Sequence, residues 1–238
     1  MLRLIYTQTL NILTESIGKN RGGPIAADLE LKKGKCMIKN IIKVLAGLLM
    51  IVSVLIGYIP QPEYLIELTC ISNTLGGLLL FADGILGMAK KKICFNSLYL
   101  NVTASIVIVF LICAGSLFGS YNFNFSGAFF FLHIINPIIF VCFYVIFVNE
   151  QGRKMRCVLA APAMTMAYLL FDYVRYRFKG EFVYGFIENE EFTLAWVIVA
   201  AIITYAFIYL LSLSLFALNR FVHKRKKQSG FEVVNHKV

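Results

Sequence analysis

The sequence predicts an all-α, polytopic membrane protein: a six-transmembrane-helix bundle with both termini cytoplasmic. Three observations carry that reading. The 238 residues are 59% hydrophobic and only 15% charged, with a mean hydropathy of +0.74, whereas soluble domains run nearer 45–50% apolar and about 25% charged. Six apolar runs are each long enough to cross ~30 Å of hydrocarbon, which takes roughly 20 helical residues. The basic residues also fall into clusters that alternate with those runs. A transmembrane β-barrel would instead show alternating segments of ~10 residues, and none is present.

The runs lie at 41–59, 64–88, 99–117, 128–148, 157–174 and 192–217. Helices are the expected form because, at bilayer depth, each backbone polar group has to be paired within its own segment. Lys32, Lys33, Lys35 and Lys39 precede the first run, and Lys90, Lys91 and Lys92 follow the second. Arg153, Lys154 and Arg156 follow the fourth, while Arg220, Lys224, Arg225, Lys226 and Lys227 follow the sixth. Every cluster therefore falls on one side, which the positive-inside rule makes cytoplasmic. The loops at 60–63, 118–127 and 175–191 are expected outside. The net charge of +10 thus reads as a topology signal rather than as a nucleic-acid footprint.

Residues 1–36 form a cytoplasmic N-terminal extension of mixed polarity, expected to be dispensable. Residues 37–218 form the membrane domain and 219–238 a basic cytoplasmic tail. The six cysteines lack CxxC spacing, which argues against a zinc site or a disulfide framework. Nothing implies a cofactor.

The second run is unusual in its polarity. Thr69, Ser72, Asn73, Gly76, Leu80, Asp83, Gly84 and Gly87 recur at the spacing of one helical face. Close packing explains the glycines, since small residues let transmembrane helices approach. Asp83 is expected to pair with Lys43 or Asn101. In the fourth run His133 lies about five residues in, as Thr69 does in the second, which places both roughly 7–8 Å below the outer interface. Asn136 follows one turn later, and Pro137 removes a backbone donor. Tyr168, Asp172 and Tyr176 share a face at the outer end of the fifth run. Ionisable groups within spans tend to face the bundle interior and mark working sites. A hydroxyl becomes a competent nucleophile when an adjacent base removes its proton, and a neutral imidazole suits that task. Thr69 and His133 are therefore the candidate catalytic pair. Asn73 and Asn136 are candidate oxyanion or polar-pocket donors, and Asp172 a candidate to orient the ring.

The motifs LTCISN, FLHIINP and RFKGEFVYGFIE, read together, resemble the androgen-induced family of six-helix integral membrane threonine hydrolases, and its bacterial-type relatives in particular. The likeness spans roughly residues 38–218. Family members hydrolyse fatty acid esters of hydroxy fatty acids. The resemblance implies that Thr69, in Leu68-Thr69-Cys70-Ile71, is the nucleophile and that His133, shortly before Pro137, is its partner. The family's Tyr-Pro-Phe-Leu-Glu segment looks like Tyr184-Gly185-Phe186-Ile187-Glu188, with glycine in place of proline, and makes Tyr184 and Phe186 lid residues. Asn73 and Asn136 match the bacterial branch.

The expected activity is cleavage of a lipid or fatty acyl ester within the membrane, with the acyl chain held between the second, fourth and fifth helices. The alternative is a non-catalytic carrier or lipid-binding protein that uses the same buried polar groups for a headgroup. Walker, HExxH and GxSxG patterns are absent from the sequence.

Overall fold

A computed structural model describes residues 24–91, 93–117, 127–183 and 193–235. Among them every regular element is helical, and six helices are long and apolar enough to cross a membrane. Helix α1 covers Pro24–Tyr58, α2 Leu68–Met88 and α3 Asn96–Leu117. The fourth span, α4, joins a short α-turn, Gly127–Phe130, a π-turn, Phe131–Ile135, and an α-helix, Asn136–Phe147. A 3-10 turn, Met155–Ala160, leads into α5, Ala163–Lys179, and α6 runs over Leu194–Asn235. The end of the bundle carrying the lysine clusters is called here the basic end, and the other the aromatic end.

All six expected runs reappear as spans, with shifts at their ends. Helix α1 is continuous from Pro24 through residue 36, and α6 is continuous through residue 218. The compositional boundaries at 36/37 and 218/219 thus fall inside helices, where no proline interrupts the backbone. At the start of α2 the shift runs the other way. Pro62–Ile66 forms a separate 3-10 turn, and Thr69 is the second residue of α2 rather than one several residues deep. Pro60 and Pro62 account for this, because proline cannot continue a helix from α1 and presets a tight turn.

The C-termini show how exits are closed. At the end of α2 the Lys91 N–H donates to Leu86 O at 2.9 Å and the Lys90 N–H to Gly87 O at 3.2 Å. This is the Schellman pattern, and it places Lys90 at φ 57°, a left-handed conformation that glycine adopts more cheaply. Helix α5 uses glycine for the same task. Gly180 sits at φ 78° and its N–H donates to Tyr176 O at 2.8 Å.

Helices α1 and α2 form the tightest pair in the bundle. A Cβ built on Gly47 would lie 2.6 Å from both Gly77 O and Phe81 N, so the two backbones touch. Near the basic end Gly84 and Gly87 leave equally little room, against the Asn40 carbonyl and the Asn40 side chain. Tails and side chains are equally apolar, so helix association in lipid relies on such packing and on hydrogen bonds. Around this seam a core forms from Met50 of α1, Leu80 of α2, Tyr99 of α3, Phe140, Phe143 and Tyr144 of α4, and Phe216 of α6. Helix α6 joins that core through Leu215 and Phe216, and Ile208 packs in a second cluster with Leu68, Ala104 and Tyr168, while no residue over 194–207 is buried.

Two outcomes follow. Gly47→Val should cost about 1–3 kcal/mol through overpacking, read as a lowered melting temperature in detergent, while Gly115→Ala, with nothing within 4 Å, should melt as wild type. Lys90→Gly should gain up to about 1 kcal/mol by relieving the left-handed lysine.

Candidate functional site

The local geometry of α4 begins with Pro137. In an α-helix its N–H would donate to His133 O, but proline has no such proton and its ring crowds that carbonyl. The chain responds with a π-turn, in which the Asn136 N–H donates to Phe131 O, five residues back. Single π-turns of this kind recur at functional sites. Here the turn contains His133, and Asn136 sits immediately after it, fully buried.

Asn136 belongs to a chain of hydrogen bonds that crosses three helices. The Ser53 hydroxyl donates to Met50 O at 2.8 Å, and Asn136 Nδ2 donates to Ser53 Oγ at 2.8 Å and to Asn73 Oδ1 at 2.9 Å. Asn73 Nδ2 in turn donates to Thr69 O at 2.8 Å and to Leu132 O at 3.3 Å. The partners fix the amide orientations. Two carbonyls require the nitrogen of Asn73, which leaves its oxygen for the nitrogen of Asn136. Both N–H groups of each asparagine are therefore engaged. The group left over is an acceptor: Asn136 Oδ1 is buried without a hydrogen-bond partner.

Asn73 thereby ties the main chain at Thr69 to the main chain next to His133. The two bonds, 2.8 and 3.3 Å, hold those carbonyl oxygens within about 6 Å of each other. Thr69 is 2% exposed, and His133 is half-buried. His133 Nδ1 lies 3.0 Å from Phe129 O, and the ring stacks on Phe129 with centroids 4.1 Å apart. A carbonyl can only accept, so Nδ1 carries the proton and Nε2 keeps its lone pair. Among the described residues no hydrogen bond joins the Thr69 and His133 side chains.

The remaining sequence candidates are placed differently. Asp172 is buried and accepts from the Val183 N–H at 2.8 Å, anchoring the chain that leaves α5. Arg175 pairs with Glu181 at 2.7 Å. The imidazole is thus oriented by the Phe129 carbonyl, the role for which Asp172 was a candidate. The lid residues Tyr184 and Phe186 lie outside the described residues. Ser53 is a member the sequence reading missed. Asn40, Lys43 and Gly47 share the α1 face that meets α2, but Ser53 lies off that stripe and bonds Asn136 of α4, so no helical spacing marks it.

Two cavities flank this region. An apolar groove of about 360 Å³ lies between α2 and α5 at the aromatic end, walled by Leu68, Ile71, Met164, Ala167, Tyr168 and Phe171. Leu68 adjoins Thr69 in the first turn of α2. A second cavity of about 170 Å³ lies at the basic end, floored by Lys43, Asp83 and Tyr99. Just before α2, Glu67 accepts a 2.7 Å hydrogen bond from the Tyr58 hydroxyl. Burial pushes its carboxyl above the ordinary range, although the Tyr58 bond pulls the other way.

Compared with known proteins, the chain matches no family model, no curated protein and no solved structure.

Ser53→Ala strands one buried N–H of Asn136, and Asn73→Leu removes the hub of the network. The first should cost about 1 kcal/mol and the second more, near the upper end of the 1–3 kcal/mol seen for unsatisfied buried polar groups, both read by thermal melting. For Glu67, a raised folded-state value means that the protonated carboxyl favours the folded protein. That contribution is complete below the ordinary value of 4.5 and is lost as pH rises through the shifted one. Wild-type melting temperature should therefore fall with rising pH across this window. Glu67→Gln, which keeps an acceptor for Tyr58, should flatten the profile.

Proposed function

We propose that the protein is an integral membrane hydrolase that cleaves lipid (fatty acyl) esters, with the Thr69 hydroxyl as nucleophile and His133 as its base. It would sit in the cell membrane with both termini cytoplasmic, as the one-sided lysine clusters imply. The observation that carries the reading is the Asn73 side chain, which binds the Thr69 and Leu132 carbonyls together. It holds the hydroxyl-bearing and imidazole-bearing segments at one depth inside the bundle.

Two further features favour this chemistry. The Nδ1 bond to Phe129 O leaves Nε2 as the lone pair that a general base needs. Thr69 occupies the first turn of α2, where main-chain N–H groups have no partner within the helix and the macrodipole is positive. Glu67 provides no side-chain cap there. A developing oxyanion would thus meet donors from the α2 terminus, since the side-chain donors of Asn73 and Asn136 are already engaged.

The steps balance simply. The Thr69 oxygen attacks the ester carbonyl as its proton passes to His133 Nε2, and that proton leaves with the released alcohol. Water then attacks the acyl-threonine, returning a proton to Thr69 and releasing the carboxylic acid. The acyl chain lies in the α2–α5 groove beside Leu68 and Ile71. The Thr–His contact forms with substrate bound, since catalytic hydrogen bonds are often long in the free enzyme.

Purified Thr69→Ala and His133→Ala should each lose at least 10²-fold in turnover of a lipid ester, the scale of general-base catalysis, while melting near the wild-type temperature. A fluorophosphonate probe should label wild type but not Thr69→Ala. Full turnover in both variants would refute the reading, and uptake into proteoliposomes with no cleavage would favour a carrier.

A further inference from the structure

The basic-end cavity has no part in the ester chemistry, and its composition points to a ligand of its own. Four helices converge on it. Lys43 of α1 and Asp83 of α2 form the floor as an ion pair at 2.5 Å, and the Tyr99 hydroxyl of α3 donates to the same Asp83 oxygen at 2.7 Å. Phe147, at the end of α4, forms a wall, and Ile93 and Asn149 stand exposed at the mouth.

Lys43 is 8% exposed and Tyr99 3%, while the half-buried Asp83 between them is the part of the floor that stays accessible. An ammonium has three N–H donors and a carboxylate two oxygens. The bonds among the described residues engage one donor of Lys43 and one oxygen of Asp83. The remaining polar capacity borders the cavity, with the Asp83 side chain 22% exposed, so a polar ligand there can meet it. The space, about 170 Å³, holds several waters at roughly 30 Å³ each, or a small headgroup.

The charges decide which headgroup. The floor presents plus and minus side by side, so a purely anionic group meets Asp83 and a purely cationic one meets Lys43. A ligand with both signs a few bonds apart satisfies each. We propose that this cavity binds the headgroup of a zwitterionic lipid with a primary amine, the phosphoethanolamine class. Its ammonium donates to the open oxygen of Asp83, and its phosphate accepts from the remaining N–H groups of Lys43. Lys39 stands nearby, its Nζ donating to Phe147 O at 3.1 Å and lying over the Phe147 ring, and adds positive charge on the phosphate side. The lysine clusters place the mouth at headgroup depth. The exposed Ile93 side chain provides an apolar rim over which acyl chains can leave.

The test uses delipidated full-length protein in detergent with phosphatidylethanolamine, phosphatidylcholine or phosphatidylglycerol of matched acyl chains. Native mass spectrometry reads occupancy and thermal melting reads stabilisation. Phosphatidylethanolamine should bind about tenfold more tightly than either other lipid, since a trimethylated amine has no N–H for Asp83 and phosphatidylglycerol has no amine. Asp83→Asn should abolish the preference. Because that change breaks a buried ion pair, Ile93→Trp, an exposed substitution at the mouth, gives a second arm and should cut the preference to below about twofold. Equal binding of phosphatidylcholine, tighter binding of phosphatidylglycerol, or an unchanged preference in Ile93→Trp would each overturn the assignment. None of these readouts depends on ester cleavage.

Discussion

The contact between the α1 and α2 backbones is the constraint on which both polar centres depend. Gly47 meets the Gly77 carbonyl with no space for a methyl group. On one side of that contact Lys43 of α1 reaches Asp83 of α2, and on the other Ser53 of α1 and Asn73 of α2 both meet Asn136 of α4. Were the helices separated by a layer of leucines, each hydrogen bond would be stretched beyond its useful range. The small residues thus do more than pack. They set the distance at which side chains from two helices can satisfy one another where water is absent.

The asparagine network follows from the same scarcity of water. A polar group in the bundle interior has to find its partner in the protein. Ser53, Asn136 and Asn73 achieve this almost completely, and the one atom left without a partner is an acceptor. The consequence for chemistry is a division of labour. The side-chain amides hold backbone segments in register, and any group that is to stabilise negative charge has to come from elsewhere. In the proposed ester chemistry that group would come from the first turn of α2, opened by the prolines that end α1.

Much of this was legible in the sequence, for identifiable reasons. Hydropathy placed the six spans because length and apolarity are properties of a segment by itself. The Thr69–Asn73–Gly76–Leu80 face was legible because helical spacing determines it, and the partner of Asp83 was legible as far as Lys43 or Asn101, of which Lys43 pairs with it. Ser53 was not legible, since a lone serine in an apolar run is ordinary until its neighbour on α4 is known. The late start of α2 depended on a 3-10 turn that apolar Leu65 and Ile66 disguise as helix. The orientation of His133 depended on the π-turn, which arises when one proline meets one crowded carbonyl and leaves no periodic trace. The partner of Asp172, a main-chain N–H of the following loop, involves no side chain that a pattern could reveal.

The π-turn has an evolutionary corollary. It holds one residue more than an α-turn, so it acts as a phase shifter between the two halves of α4. Deleting a single residue within Phe131–Ile135 would restore ordinary winding and turn the segment before it by about 100° relative to the segment after it. The imidazole and Asn136 could then no longer share their present faces. Lineages that descend from this architecture are therefore free to exchange side chains along the helix, while their alignments should tolerate no gap across those five positions.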